Sequence, residues 1–217
     1  MTDNIERRAG ILKDESYYME YLVILAGKTL FKVPRWGLEA NDIFSMMYTL
    51  PNGTAGAEGS SDENPIQLSG EISAEEFRSF LKVLYPMTGS SKAGVDWQAV
   101  LKLSTLWDFG KVRQRAIAEL EKKSREPLES ILLARKHQVF KWLIEGYVEL
   151  ARRPEPLTFE EGEQLGWPVF ARLVDLRERS WQSAGGKTCV AEKVRLEFDF
   201  ASEVQKLFGN EITENGA

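Results

Sequence analysis

Few residues in this chain are of types that could do chemistry, and none stands at a spacing that chemistry requires. Gly186-Lys187-Thr188 has the ending of a phosphate-binding loop, whose backbone amides cradle phosphates while its lysine reaches the terminal ones. That loop needs a glycine five residues before Gly186, where Trp181 stands, and a strand before it, where the pattern reads helix. A linker is the better reading. His137 is the only histidine and sits beside Lys136 near the junction of two helices, with no serine or cysteine nucleophile at a recognisable spacing; it reads as a surface or helix-end residue. Cys189 is the only cysteine, which excludes a disulfide framework within the chain and, with one histidine, a Cys/His zinc site. No basic, histidine-rich context surrounds it to make it reactive. The run Glu160-Glu161-Gly162-Glu163 falls in a predicted first helical turn, where carboxylates complement the helix dipole. Of the tryptophans at 36, 97, 107, 142, 167 and 181, at least four fall on predicted core faces or helix junctions rather than forming stacking platforms. No catalytic, cofactor-binding or metal-ligating residue is assigned, and no cofactor is expected.

Composition points the same way. A net charge of −5 gives no general attraction to a polyanion, and the bases Lys122-Lys123-Ser124-Arg125 are bracketed by Glu121 and Glu126, as on a solvated helix end. Nucleic-acid binding is not expected. Nor is a membrane span, because no apolar run approaches the roughly 20 residues needed. The N-terminal Met-Thr-Asp-Asn-Ile-Glu-Arg-Arg has no hydrophobic region behind its charges, so an intracellular protein, cytoplasmic or nuclear, is expected.

The chain is organised around Ser73 to Pro86. Phe77, Phe80, Leu81 and Leu84 recur at i, i+3, i+4 and i+7, one apolar face of a helix. Ser73 and Glu76 form a capping box at its start, and Pro86 marks its end. Upstream, Tyr21-Leu-Val-Ile-Leu and Thr29-Leu-Phe-Lys-Val flank Gly27-Lys28 as a hairpin. A helical turn over Trp36–Ala40 follows. Asn41 or Asp42 can cap a further helix carrying Ile43, Phe44, Met46 and Met47. Asn52 to Asn64, rich in glycine and small polar residues, reads as a mobile loop, of which Asn52–Glu63 is expected to tolerate shortening. Pro65-Ile-Gln-Leu68 reads as an edge strand with Ile66 and Leu68 on one face.

After a second loop to Gly94, a helix places Trp97, Val100 and Leu101 inward, continued by Leu103, Leu106 and Trp107. Asp108 can cap the next, with Val112, Ala116, Ile117 and Leu120 inward. Pro127 opens a helix with Leu128, Ile131 and Leu132 on its apolar face. Phe140, Leu143, Ile144, Tyr147, Val148 and Ala151 form the clearest apolar stripe of the chain. Thr158-Phe-Glu-Glu161 is a second capping box, and Pro168 opens a helix with Phe170, Leu173, Val174 and Trp181 inward. Residues 188–198 could be strand or helix, an irregular strand-like segment being favoured; Phe200–Phe208 reads as a short helix, and Asn210–Ala217 as disordered.

The order Leu22-Val-Ile-Leu, Thr29-Leu-Phe-Lys-Val, Ile43-Phe-Ser-Met-Met, Ser73-Ala-Glu-Glu-Phe with Leu84-Tyr-Pro, and Trp97 to Phe109 resembles the BTB/POZ domain, and more narrowly the BTB/POZ-like proteins abundant in mushroom-forming fungi. The resemblance covers residues 16–123 and extends to about residue 180 through Pro127-Leu-Glu-Ser-Ile-Leu-Leu-Ala-Arg-Lys and Arg153 to Gly166. It implies an α+β fold, a small β-sheet flanked by a helical cluster and followed by an all-α extension, and a non-enzymatic protein-interaction role. The expected organisation is an arm at 1–15, the BTB/POZ-like domain at 16–123, a helical extension at 124–182, and a linker, short segment and disordered tail at 183–217.

The resemblance further implies self-association or adaptor binding with a protein partner it does not identify. A homodimer is expected through the arm and first helix, with Ile11, Leu12, Trp36, Phe44 and Met47 as interface residues. The family's His-Arg pair after the second strand is here Pro34-Arg35, and Glu20-Tyr21 stands where its aspartate would fall, so a corepressor pocket is not expected. The alternative role, substrate adaptor for a cullin-type ubiquitin ligase, leans in the family on a hydrophobic-x-glutamate motif. Only Gly56-Ala57-Glu58 and Ser61-Asp62-Glu63 stand there, so weak or absent cullin binding is expected. A second alternative is an enzyme or small-ligand binder with a pocket between the two lobes.

Overall fold

The computed structural model describes residues 12–39, 58–86, 94–185 and 193–214. The fold is α+β and mostly helical, and the chain divides into two units, Met1–Lys122 and Lys123–Ala217. In the first, β1 (Tyr21–Ala26) and β2 (Thr29–Pro34) form an antiparallel hairpin in which Ala26 faces Thr29. Gly27 makes the two-residue turn at φ 59°, a conformation glycine adopts without a Cβ penalty. On the other side of β1, β3 (Ile66–Gln67) pairs in parallel, giving the order β2-β1-β3. Period-2 alternation turns Leu22, Ile24 and Ala26 to one face, where they join Val33 and Ile66 in the core.

A turn, α1 (Trp36–Glu39), follows the hairpin, and α2 (Ala74–Leu84) lays Phe77 and Phe80, both fully buried, on the sheet. The Ser73–Glu76 capping box is formed as its spacing predicts. Rings close the core edge-on: Phe77 lies 5.0 Å from Phe31 and 6.0 Å from Trp107, and Phe80 lies 5.2 Å from both Trp107 and Phe109. The last two residues follow α3 (Trp97–Leu106), capped by Asp96, and precede α4 (Gly110–Glu121).

Four expectations for this unit need correction. Leu106 is exposed, because Leu103 and Trp107, four apart, take the core side of that turn. Asp108 is no cap: it sits at φ 54° where the chain reverses, and Phe109 occupies the cap position without a side-chain bond. Leu81 only flanks the core. Glu58–Asn64 is no loose loop either. Gly59 accepts from the Val23 amide at 2.9 Å and donates to the Asn64 carbonyl at 2.7 Å, at φ 80°, and a Cβ there would meet the Ile66 side chain at 2.9 Å. The tolerated shortening therefore does not extend into this stretch. The predicted helix with Phe44 and Met47, residues 52–57 and most of the second loop lie outside the described residues.

The second unit contains α5 (Pro127–His137), α6 (Phe140–Arg152), α7 (Phe159–Leu165), α8 (Trp167–Ser183) and α9 (Phe200–Glu214). Helix α6 is the hub, packed by α5, α8 and α9. Its Gly146 lets α5 approach, since a Cβ there would stand 2.5 Å from Ile131 Cγ1. Because neighbours cover α6 on several sides, Trp142 and Leu150 are buried beyond the predicted stripe, while Phe140, Ile144 and Val148 are half-buried.

His137 does end a helix, but it is buried. Leu132 and Val174 are exposed rather than inward, and Trp181 and Phe170 are half-buried. The described part of 188–198 is a helical turn at 193–195, not a strand. Helix α9 runs past Phe208 to Glu214, through residues expected to be disordered. Phe200, Val204 and Phe208, at i, i+4 and i+8, are wholly buried, with Phe208 4.4 Å from the Tyr147 ring.

Candidate interaction surface

Of the five predicted interface residues, Leu12 and Trp36 are described, and both face solvent, at 94% and 57% exposed. Ile11, Phe44 and Met47 lie outside the described residues. The first unit also exposes large side chains that the sequence reading did not single out: Tyr17, Tyr18, Met19 and Tyr21, and Leu30 nearer the hairpin turn. Local bonding explains their display. The Asp14 carboxylate accepts from the Ser16 and Tyr17 amides at 2.9 and 2.7 Å, an Asx turn that carries the chain over the next residues in a fixed shape. Tyr21 and Leu30 occupy the sheet face opposite Leu22 and Ile24, as strand alternation and the Leu25–Leu30 pairing require.

Trp36 is exposed but held. Its ring meets Tyr85 edge-on at 5.3 Å, and a Cβ on Gly37 would stand 2.4 Å from the same phenol ring. The Tyr85 hydroxyl donates to the Pro34 carbonyl. Burial pushes its pKa up to about 12, so it remains a donor across the physiological range. Arg35 and Glu20 come together: Nη1 lies 2.7 Å from Oε2, the Arg35 amide donates to the Glu20 carbonyl at 2.8 Å, and Glu39 pairs with Nε. Burial alone would lower the Arg35 pKa, but these two carboxylates raise it. The pair ties the entrance of β1 to the exit of β2, bringing Tyr17–Tyr21 and Trp36 to one end of the sheet.

No family model, curated protein or solved structure matches this chain.

The second unit has a cleft of about 410 Å³ walled by Pro154, Pro156, Leu157, Val174 and Trp181, with Arg177 and Glu178 at its polar side. Its lining holds no hydroxyl, thiol or imidazole. Arg177 Nη1 donates to the carbonyls of Leu150, Ala151 and Arg153, and Nη2 to those of Pro154 and Glu155, at 2.6–3.2 Å. Burial, then the charges of Arg195 and Arg153, bring its pKa down to about 10, so it is a cation at neutral pH with its donors committed to the backbone. Arg195, 1% exposed, donates to Ser180 Oγ at 2.8 Å, to the Arg152 carbonyl at 2.6 Å and to the Ala151 carbonyl. It lies between the Trp181 and Phe200 rings, 4.5 and 5.1 Å from their centroids. Neither arginine was found from sequence, where arginine reads as surface. Among the described residues no three side chains gather as metal ligands, and no helix is long and apolar enough to cross a membrane.

Proposed function

We propose that this chain is a non-enzymatic protein-interaction module of BTB/POZ-like organisation that pairs with a second copy of itself through the first unit. One observation carries the reading: Tyr17, Tyr18, Met19, Tyr21 and Trp36, five large apolar or aromatic side chains, are displayed within 20 residues of sequence at one end of a sheet, held by local bonds, with Leu12 exposed just upstream. Exposed apolar surface gains roughly 25 cal/mol per Å² when covered. Held aromatics lose little further freedom on doing so, which suits Trp and Tyr to anchor interfaces.

Light scattering tests the pairing. The expected mass is twice the 24.6 kDa of one chain, reduced to a single chain by W36E combined with Y17E; a wild-type mass of one chain at high protein concentration overturns it. Cullin recruitment is proposed to be weak or absent, since Gly56 and Ser61 stand two places before Glu58 and Glu63, and an apolar anchor there contributes about 1.5–3 kcal/mol. Biolayer interferometry against the host's own cullin N-terminal domain is the check, and submicromolar affinity would convert the reading to substrate adaptor.

A further inference from the structure

A second surface, on the other unit, has a different chemistry. At the corner between α7 and α8, Phe159 is 62% and Trp167 49% exposed, with their ring centroids 5.2 Å apart. Trp167 is held from behind by Phe170 at 5.4 Å and from below by Gly162, where a Cβ would crowd Trp167 Cζ3 at 3.0 Å and Phe170 Cδ2 at 3.1 Å. The rings are thus fixed in place while their outer sides remain in water.

The stretch of chain that forms the corner, between Arg153 and Arg172, carries charge of one sign. From Pro154 to Ala171 the ionisable side chains are Glu155, Glu160, Glu161 and Glu163. Arg153 occupies Glu161, whereas Glu160 and Glu163 are exposed and make no ion pair among the described residues. Glu163 lies four residues after Phe159, on the same helix face. Arg135 is engaged with the Leu165 carbonyl at 2.8 Å and the Tyr147 hydroxyl at 2.9 Å. An aromatic face attracts a cation placed over it, and here the adjoining carboxylates add to that attraction.

We propose that this corner docks a lysine- or arginine-bearing segment of a partner protein, its cation over Trp167 and paired with Glu160 or Glu163, its aliphatic stem or neighbouring apolar residue against Phe159. The occupant follows from charge complementarity: an acidic segment would be repelled, and a purely apolar one would leave both carboxylates unused.

An array of immobilised decapeptides tests this, one half carrying two or more Lys or Arg among apolar residues, the other half with Asp or Glu at those positions. The full-length protein is expected to be retained at least tenfold more by the basic half, with retention falling as salt rises. W167A and the double variant E160K/E163K should each lower it at least tenfold. The double variant keeps the proposal falsifiable if W167A disturbs folding, because both glutamates are exposed; circular dichroism checks that both variants fold. No preference for the basic half, or a preference that survives the double variant, overturns the proposal. So does equal retention of the basic half by wild type and a folded W167A, which would show charge attraction alone.

Discussion

The two units fix their cores by different means. In the first, rings meet rings: Phe31, Phe77, Phe80, Trp107 and Phe109 interlock edge-on over a three-stranded sheet. In the second, apolar packing around Trp142, Tyr147 and Phe208 is joined by a buried polar cluster. A helix leaves its last four carbonyls without partners, and at the end of α6 those of Leu150, Ala151, Arg152 and Arg153 all accept from Arg177 or Arg195. Ser180 joins the two arginines, donating to the Arg177 carbonyl and accepting from Arg195 Nε. Positive charge at a helix C-terminus also answers the dipole. Two like charges are tolerated close together because each is spread over several carbonyls, and Arg195 additionally over two rings. Apolar packing is general and adapts to the nearest shape; a guanidinium fork fits one arrangement of acceptors. The second unit is therefore the one in which a single side chain specifies where α9 begins.

Breaking each core separately gives the largest effects. F77A removes a wholly buried ring in contact with Phe31 and Trp107, and is expected to cost about 3–5 kcal/mol, seen as a fall on the order of 10 °C in melting temperature. L81A, at the core margin, should cost clearly less; equal losses would mean that the ring cluster is not the organising feature. R195M keeps the stem but orphans carbonyls at the end of α6, at about 2–4 kcal/mol. R195K should be nearly as damaging, since an ammonium keeps the charge and loses the fork. Hydrogen exchange separates the two cores: R195M should speed exchange in α9 and late α6 and leave β1 and β2 unchanged, whereas uniform acceleration would deny that Arg195 acts locally.

That contrast also sorts what was legible in the sequence. The hairpin, the edge strand and α2 follow from β-prone runs around Gly27-Lys28, the Ile66/Leu68 pair and the Phe77/Phe80 spacing, because there the apolar residues that set the pattern are the ones the core buries. Where pattern and burial part, reading fails. In 193–198 the apolar residues Val194 and Leu196 are exposed and Arg195 is buried, the reverse of what hydrophobic periodicity assumes, so a segment docked by an arginine read as an irregular strand. Phe200, Val204 and Phe208 were spaced for a buried helix face, yet without Arg195 to anchor its start the helix looked short and peripheral. Val174 and Leu132 failed for a simpler reason: each stands at the edge of an apolar stripe wider than its neighbouring helix covers. Of the proposed interface, Leu12 and Trp36 were legible as apolar residues without a place inside; the tyrosines beside them needed the strand register.

The smallest effect tests the one device the units share. Ser73 Oγ accepts from the Glu76 amide at 3.2 Å and Glu76 Oε2 from the Ser73 amide at 2.8 Å, with Lys102 Nζ 2.7 Å from Oε1. Thr158 and Glu161 repeat both distances, with Arg153 on Oε2. In each box burial pushes the glutamate pKa up, but the cation's hydrogen bond and the cap amide outweigh it, and both end below the ordinary 4.5. A carboxylate with a depressed folded pKa contributes stability that is present above its unfolded pKa and lost as pH falls through the folded one. E76Q and E161Q should therefore each cost about 1 kcal/mol at neutral pH, and the gap to wild type should close on acidification below about pH 4.5, as the wild-type carboxyl takes up its proton. Urea denaturation of the three proteins at neutral and acid pH measures it. The side chain of Glu161 is 13% exposed against 24% for Glu76, and its cation is a guanidinium, so E161Q should be the costlier of the two. A gap of the same size at both pH values would show that the boxes act through geometry alone, and a costlier E76Q would mean that the polar device is worth more beside the aromatic core than beside the arginines.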